Sequence, residues 1–449
     1  MRLKQRRSLP KIALVGLATL ALSTAGAQAA LAARADGPPT PNRPGLIADT
    51  RPVPAGVSTD PLPEDQDSGL PAGLQDGLWD LYASHPDINV NALEWDAQSN
   101  SLLVYTSTPE STADLFAAYV QRTPVKAVKA AHSKTDIDSV IDRIIEVGGV
   151  LSADQRIVTA APAKDGSSIT LGLESTGSAK RMTAPGLTRT LDSSIPLIVE
   201  EAPEIAPATR NIGYYVNYFS GALMTKPLPD GWQQWCSTGY RITNMSTNQA
   251  GMLSAEHCGR GSIGSTWYYS TAQSSASSLG QYQGMLTVAT NSATDTGLWL
   301  GGNLSAFYPA VFNGVNDGSS TLTAIRGASI PVLGSSVCYS GSRSGNICGN
   351  TVQLTGFLTC YSPTQCYGGQ TATRQSSDVP AAGSGDSGGP AYQSINGQPY
   401  GSGVISGISF PDGNCSGDPA DANRQCSPWV IFAPLDVALG SAWGFNYVP

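Results

Sequence analysis

Charged side chains are scarce in this sequence. They make up 13% of its 449 residues, and the formal net charge at pH 7 is −8. A disordered chain shows the opposite balance, with many charges and few apolar residues. Binding to nucleic acid requires a basic surface, so the acidic balance argues against such a partner. The sequence therefore predicts a folded protein, and its length allows two or three domains.

Cysteine is absent from the first half of the chain, and all eight cysteines lie between Cys236 and Cys426. In an exported protein an even number of cysteines indicates disulfide bonds. Their order suggests that neighbours pair, although many other connectivities are possible. The suggested pairs are Cys236 with Cys258, Cys338 with Cys348, Cys360 with Cys366, and Cys415 with Cys426. Zinc is the alternative, but no CxxC pair occurs and only one histidine lies nearby, so we expect neither a metal nor another cofactor.

The N-terminus has no hydrophobic run long enough to span a membrane. A basic segment up to Lys11 precedes an apolar run over residues 12–22, and Ala27-Gln28-Ala29 has the small-x-small pattern of a cleavage site. This pattern is typical of a secretory signal peptide, here residues 1–29, and not of a membrane anchor. The alternative, a short buried helix, does not explain the basic flank. We therefore expect a secreted, extracellular protein.

The segments that follow differ in amino-acid composition and in predicted secondary structure. Nine prolines between Asp36 and Gly73 predict a Pro-rich linker over residues 30–73. Residues 74–210 predict an α+β unit, with a hairpin turning near Ser99-Asn100.

The sequence TDIDSVIDRIIEVGG in this unit predicts an amphipathic helix. Its apolar stripe is Ile137, Val140, Ile141, Ile144 and Ile145. We expect Thr135 to cap the helix and Gly148-Gly149 to end it.

From Asn211 onward lysine and glutamate almost disappear, leaving only Lys226 and Glu256. Short apolar runs alternate with Gly, Ser and Asn turns, which predicts an all-β domain over residues 211–449. Only the last segment, LDVALGSAWGF, has a helical pattern.

The stretch GSGDSGGP around Ser387 carries the most specific chemistry. A serine hydroxyl becomes a good nucleophile only when a base takes its proton and donors stabilise the oxyanion. Glycines at 385 and 388 allow a tight turn, so the N–H groups of Gly385 and Ser387 can form an oxyanion hole. The alternative is another flexible turn in a Gly-rich domain.

The base is then almost dictated by elimination. His257 is the only histidine after Arg210 and lies beside Cys258. A carboxylate should orient its ring. Asp295 lies on a predicted strand and is favoured over Asp317, which has the surroundings of a turn.

The order His257, Asp295, Ser387 resembles that of chymotrypsin-like serine proteases, and the chain is similar to the bacterial streptogrisin and alpha-lytic protease type over most of residues 211–449. The motifs that carry the resemblance are CSTGYRI…GMLSAEHCG, VCYSGSRSGNICG, GDSGGP, VISGIS and VIFAPL. The resemblance implies two packed six-stranded β-barrels with a C-terminal helix and the site at their seam. It also implies that residues 30–210 include a pro-region that aids folding and inhibits the mature enzyme, with processing near Arg210-Asn211. The alternative to a pro-region is an independent binding domain.

The resemblance further implies a substrate pocket with Ala381 at its base and Ser406, Gly407 and Ile408 in its wall. No acid occupies the base, so a preference for arginine or lysine is not expected unless Asp378 reaches in. We expect a preference for small or medium apolar residues.

Three positions depart from the family pattern. Glu256 replaces a small residue before the histidine. Residues 381–383 lack the usual cysteine, which is why Cys415 is paired with Cys426. Tyr339 replaces an arginine that normally balances the aspartate before the serine, which leaves Arg343 as a candidate partner for Asp386.

These observations lead to a secreted serine endopeptidase, made as a precursor, that cleaves proteins or peptides through an acyl-enzyme and is expected to be a monomer. The alternative is a protease-fold binding protein with impaired catalysis, which Glu256 makes conceivable.

Overall fold

The structure is a computed structural model. It describes residues 45–71, 73–120, 122–152, 155–175, 184–201, 205–206, 218–229, 233–269, 277–286, 294–314, 321–363, 365–411, 415–417, 424–439 and 442–449. The expected signal peptide, Asp317 and the expected processing site at Arg210-Asn211 lie outside these residues.

The N-terminal part, residues 45–206, mixes helices and strands. Its helices are α1 (Leu74–Ser84), α2 (Pro109–Tyr119), α3 (Lys134–Glu146) and α4 (Ala184–Thr190). Its strands are β1 (Leu46–Ala48), β2 (Val57–Ser58), β3 (Val90–Asp96), β4 (Ser101–Thr106), β5 (Val125–Lys129), β6 (Val150–Ser152), β7 (Gln155–Pro162), β8 (Ile169–Ser175), β9 (Leu197–Glu201) and β10 (Ile205–Ala206).

The C-terminal part, residues 218–449, consists mainly of strands. Its first strands are β11 (Tyr218–Ser220), β12 (Leu223–Pro227), β13 (Gln233–Ser237), β14 (Tyr240–Asn244), β15 (Ala250–Ser254), β16 (Thr266–Tyr269), β17 (Ser277–Met285), β18 (Gly297–Leu300), β19 (Phe307–Asn313) and β20 (Thr321–Ala324). The remaining strands are β21 (Gly327–Ala328), β22 (Ser336–Gly341), β23 (Gly345–Ser362), β24 (Gln365–Gln375), β25 (Ala382–Gly383), β26 (Pro390–Ile395), β27 (Gln398–Ser409), β28 (Cys426–Ser427), β29 (Trp429–Pro434) and β30 (Trp443–Tyr447). Two short helices, α5 (Glu256–Gly259) and α6 (Leu435–Ala438), interrupt them. The all-β prediction for this part is confirmed.

The predicted amphipathic helix forms as α3. Its four residues Ile137, Val140, Ile141 and Ile144 are buried. The cap, however, is Ser133 and not Thr135, because Ser133 and Asp136 exchange hydrogen bonds in a capping box.

Six strands of the C-terminal part pair in the order β22-β26-β27-β29-β24-β23, and β22 also pairs with β23, so each of the six has two neighbours within the set. A second sheet has the order β1-β30-β14-β15-β18-β17-β16-β12-β13. These two sheets carry the site residues described below.

The C-terminal helix is much shorter than the sequence pattern predicts. Residues 435–438 are helical, but Trp443–Tyr447 form a strand that pairs with β14. Trp443 to Asn446 are all buried, and the strand pairs with β14 on one side and with β1 on the other, which satisfies the buried backbone groups of this segment.

The Pro-rich segment contributes two strands in addition to its connecting role. β1 pairs in parallel with β30, and β2 pairs in parallel with β20. Arg51 pairs with the buried Asp49 and donates hydrogen bonds to the carbonyls of Ser305 and Phe307. We call residues 45–58 the strap.

The two parts share buried surface within the compact unit of residues 40–449. Leu74 and Leu78 of α1 belong to the same apolar core as Ile330 and Val332. Strand β7 pairs with β23, which continues the sheet of the C-terminal part into β8 and β9.

Among the described residues, none of the helices has the length and apolar character needed to cross a membrane.

Candidate active site

His257 lies on the four-residue helix α5, directly after β15. Cys258 forms a disulfide bond with Cys236 on β13, which fixes this turn to the sheet. The backbone N–H of His257 donates to Asp295 Oδ1 at 3.0 Å, and its Nδ1 lies 2.6 Å from Asp295 Oδ2. Because a carboxylate only accepts, Nδ1 carries a proton, and in the neutral ring Nε2 then has the free lone pair. Nε2 has no hydrogen-bond partner among the described residues.

Asp295 is fully buried just before β18. Besides the histidine, it accepts a hydrogen bond from Ser406 Oγ at 2.6 Å. The Ser406 hydroxyl also lies 2.9 Å from the hydroxyl of Tyr361. Ser406, predicted from sequence as a pocket residue, thus also holds the carboxylate.

The charges around His257 favour its protonated form. Burial alone lowers the pKa of the ring, but the charge and hydrogen bond of Asp295, with a further contribution from Glu256, more than offset this and raise the pKa above its usual value.

The turn around Ser387 shows why glycines surround it. Gly385 and Gly388 have φ of 107° and 82°, where other residues are strained. A Cβ on Gly388 would lie 1.9 Å from Ser254 Oγ. Ser387 itself is buried.

The serine turn packs against the histidine turn. The Ser387 carbonyl accepts a hydrogen bond from the N–H of Ser237 at 2.7 Å, and Cys258 Sγ lies 3.9 Å from the same carbonyl. Gly388 lies close to Ser254 and Ala255, which immediately precede α5. The structure therefore brings Ser387 to the segment that carries His257.

The cation that pairs with Asp386 is Arg424, and not Arg343 as the sequence suggested. Arg424 Nη2 lies 3.3 Å from Asp386 Oδ2, and both side chains are buried. Arg343 donates only its backbone N–H, while its guanidinium lies over the ring of Trp235. Ser344 and Gly383 complete the donors around the carboxylate.

The expected pocket residues Ala381, Ser406 and Ile408 are all buried. The ring of Tyr361 covers Gly407, since a Cβ there would lie 2.2 Å from its hydroxyl. Asp378 is exposed and pairs with Arg374, so this carboxylate is engaged at the surface.

Strand β10 pairs with β27, the strand that contains Ser406, Gly407 and Ile408. Ile205 pairs with Ser409 and Ala206 with Ile408 in antiparallel register. A segment of the N-terminal part therefore occupies the edge of β27.

Four disulfide bonds join neighbouring cysteines: Cys236–Cys258, Cys338–Cys348, Cys360–Cys366 and Cys415–Cys426. In the described part of the chain one cluster of possible metal ligands stands out, Cys236, His257 and Cys258. Its two sulfurs are bonded to each other, so this cluster does not fit a metal ion.

Sequence reasoning missed three residues around the site: Arg424, Tyr361 and Tyr367. Only Arg424 left a signal, because the C-terminal part has few basic residues and the buried Asp386 needs one. The tyrosines are two among 17, and nothing in their local sequence marks them.

The chain is similar to Streptogrisin-C of Streptomyces griseus, with 32% identity over 181 residues. The match covers 40% of this chain and 33% of the relative, so the chain spans about a third of that protein's length. No protein-family model matches the sequence.

Two solved structures show weaker likenesses. A glutamic-acid-specific serine protease shares 22% identity, covering 48% of this chain and 93% of the other, with a TM-score of 0.34. The alpha-lytic protease homolog N4 shares 18% identity, covering 49% and 93%, with a TM-score of 0.32.

The match to Streptogrisin-C confirms the expected resemblance to serine proteases of the streptogrisin type over 181 residues of the chain.

Proposed function

We propose that the protein is a secreted serine endopeptidase that hydrolyses peptide bonds through an acyl-enzyme. The observation that carries the proposal is the hydrogen-bonded pair His257–Asp295, packed against the glycine turn of Ser387. The three residues lie on a short helix, before a strand and in a turn, far apart in sequence, and hydrogen bonds hold the histidine to the aspartate and the serine turn to β13.

In this mechanism Ser387 Oγ attacks the carbonyl carbon of the substrate while its proton passes to His257 Nε2. The N–H groups of Gly385 and Ser387 stabilise the oxyanion. The C–N bond then breaks as Nε2 gives its proton to the leaving amine. Water repeats the sequence on the acyl-enzyme, and Asp295 keeps the ring oriented and stabilises its charged form throughout.

Residues 30–210 are proposed to include an inhibitory pro-region, preceded by a signal peptide. Support comes from β10, because an antiparallel strand on residues 408–409 has the orientation in which a peptide substrate extends a sheet. The extended sheet β23-β7-β8-β9 and the shared core around α1 support a folding role. Processing near Arg210-Asn211 would leave residues 211–449 as the mature enzyme, expected as a monomer.

The pocket supports a preference for small or medium apolar residues. Ala381 and Ile408 lie in one apolar cluster, and Asp378 is paired with Arg374 at the surface. A peptide library cleaved mainly after arginine or lysine would contradict this.

The test is secretion of the whole precursor followed by treatment with a fluorophosphonate probe, beside Ser387→Ala. Labelling of the wild type alone establishes an activated Ser387. A folded, processed wild type that stays unlabelled would instead support the impaired binding protein. Mass spectrometry of the active product tests the precursor, since a product that retains residues 45–206 covalently would exclude processing.

A further inference from the structure

Glu256 has no role in the mechanism proposed above. It precedes His257 on α5 and is 5% exposed. Its carboxylate faces three donors. Tyr282 on β17 donates to Oε1 at 3.2 Å, Tyr367 on β24 donates to Oε2, and Arg260 Nη1 lies 3.7 Å from Oε2.

The surrounding residues are fitted to this carboxylate. A Cβ on Gly259 would lie 2.3 Å from the ring of Tyr282, so the glycine allows the ring to reach Glu256. Arg260 also donates to the hydroxyl of Tyr367 at 3.3 Å. The groups therefore form one connected network.

The network connects the two large sheets, and we call the boundary between them the seam. Glu256 lies on α5, which follows β15, and Tyr282 lies on β17 of the same sheet as β15, whereas Tyr367 follows Cys366 on the hairpin β23–β24 of the other sheet. The hydrogen bond from Tyr367 thus ties the histidine turn to the half of the molecule that carries Ser387.

A structural role alone does not explain a carboxylate at this position. Burying a charge is unfavourable unless it is fully paired, and a neutral side chain could fill the same space without that penalty. What the carboxylate adds is negative charge beside the histidine.

Several charged or titratable groups face His257 or this network. Asp295 precedes β18, Glu256 and Arg260 lie on α5, Tyr282 lies on β17, and Tyr361 and Tyr367 lie on the hairpin. Two carboxylates therefore act on the ring against one guanidinium. Glu256 favours the protonated ring and Arg260 opposes it.

Resting on the proposed protease function, we propose that Glu256 is a positioning residue of the same site: a second buried carboxylate that holds the His257 turn across the seam and stabilises the protonated ring. It touches neither substrate nor reacting atom. It acts when His257 Nε2 has accepted the proton of Ser387, because the ring is then positively charged.

The experiment compares processed wild type, Glu256→Gln and Arg260→Gln, each secreted as the full chain. Both kcat and KM are measured across about pH 5 to 9, the range in which a histidine titrates. The matched control is Arg374→Gln, whose guanidinium pairs with Asp378 at the surface.

Glu256→Gln is expected to move the acidic limb of kcat/KM to lower pH by about half a unit or more, with a larger change in kcat than in KM. Arg260→Gln is expected to move it to higher pH, since the charge of Glu256 is then less offset. The control leaves the limb in place.

A loss of activity without movement of the limb would overturn the proposal, because a purely structural role lowers activity without changing the charge felt by the ring. Should Glu256→Gln not accumulate as folded protein, Arg260→Gln decides the matter, since the Arg260 side chain is 34% exposed and its replacement is expected to disturb folding less. A wild type that the fluorophosphonate probe does not label defeats the protease function and this proposal together, whereas a labelled wild type with unmoved limbs defeats this proposal alone.

Discussion

At the scale of single residues, Asp295 acts on His257 in two ways. It accepts a hydrogen bond from His257 Nδ1 and raises the pKa of the ring. Because the base must be neutral to accept a proton, activity should fall as the pH drops through that raised pKa, above the usual value of 6.5.

We expect Asp295→Asn to lower kcat by about 10⁴-fold, because the amide no longer holds the ring in the tautomer with a free Nε2. Whatever activity is left should have its acidic limb at lower pH, since the charge that raised the histidine pKa is gone. Steady-state kinetics across pH measure both effects. Asp378→Asn is the control, and equal losses in the two variants would contradict the assignment.

Arg424 offers a second test at this scale. Its guanidinium and Asp386 are 1% and 0% exposed as side chains, so removing the cation leaves a buried carboxylate with neutral donors only. Arg424→Gln should destabilise the folded chain by about 3 kcal/mol. Arg374→Gln, which breaks an exposed pair, should change stability by less than about 1 kcal/mol.

Denaturant unfolding of both variants measures this, in a Ser387→Ala background that prevents self-digestion. A small effect for Arg424→Gln would mean that the four neutral hydrogen-bond donors around Asp386 suffice.

The same residues show how far sequence reasoning reaches. His257 and Glu256 could be singled out from the sequence because they are the only histidine and the only glutamate after Arg210. Ser387 could be singled out because glycines surround it. Arg424 is 38 residues from Asp386 in sequence, and it lies within the loop that the Cys415–Cys426 disulfide closes. No local pattern encodes such a contact.

At the scale of elements, the hairpin β23–β24 serves both parts of the chain. Leu358 is buried in a cluster with Ile157 and Ile169 of the N-terminal part, and its backbone pairs with Ala160. Gln353 lies on the same strand but is exposed.

Leu358→Asp should therefore reduce the secreted yield of processed protein by about tenfold or more, because a charge would face an apolar cluster. Gln353→Asp should leave the yield nearly unchanged. Quantification of the culture supernatant against intracellular precursor provides the measurement. Equal yields would show that this contact is dispensable for folding.

Elements were predicted best where one period dominates. The stripe of α3 repeats every three to four residues, and this helix forms as expected. The last segment fits both a helix and a strand over residues 443–447, and pairing with β14 decides the outcome. β1 and β2 were not predicted, because short strands among prolines gain their stability from the sheets they join.

At the scale of the whole molecule, the strap joins the N-terminal part to two sheets of the C-terminal part through the pairs β1–β30 and β2–β20. Arg51 holds the buried Asp49 and reaches two carbonyls beyond it. Arg51→Ala should destabilise the Ser387→Ala precursor by about 2 kcal/mol, since Asp49 keeps only the more distant Arg241.

Lys126→Ala, which removes a hydrogen bond between exposed side chains, is the control and should have little effect. Thermal unfolding compares the two. An unchanged midpoint for Arg51→Ala would show that the strap adds no stability.

The parallel pairing of β1 with β30 has a consequence for timing. β30 lies at the C-terminal end of the described residues and β1 at their N-terminal end. A cut between residues 206 and 218 would therefore give two fragments that stay paired through β1, β2, β7 and β10. Each of these sheet edges must separate before the fragments do. If the peptide bond is cut there, release of the N-terminal fragment would therefore lag behind cleavage, and the slowest of these strand pairs to open would set the length of the lag.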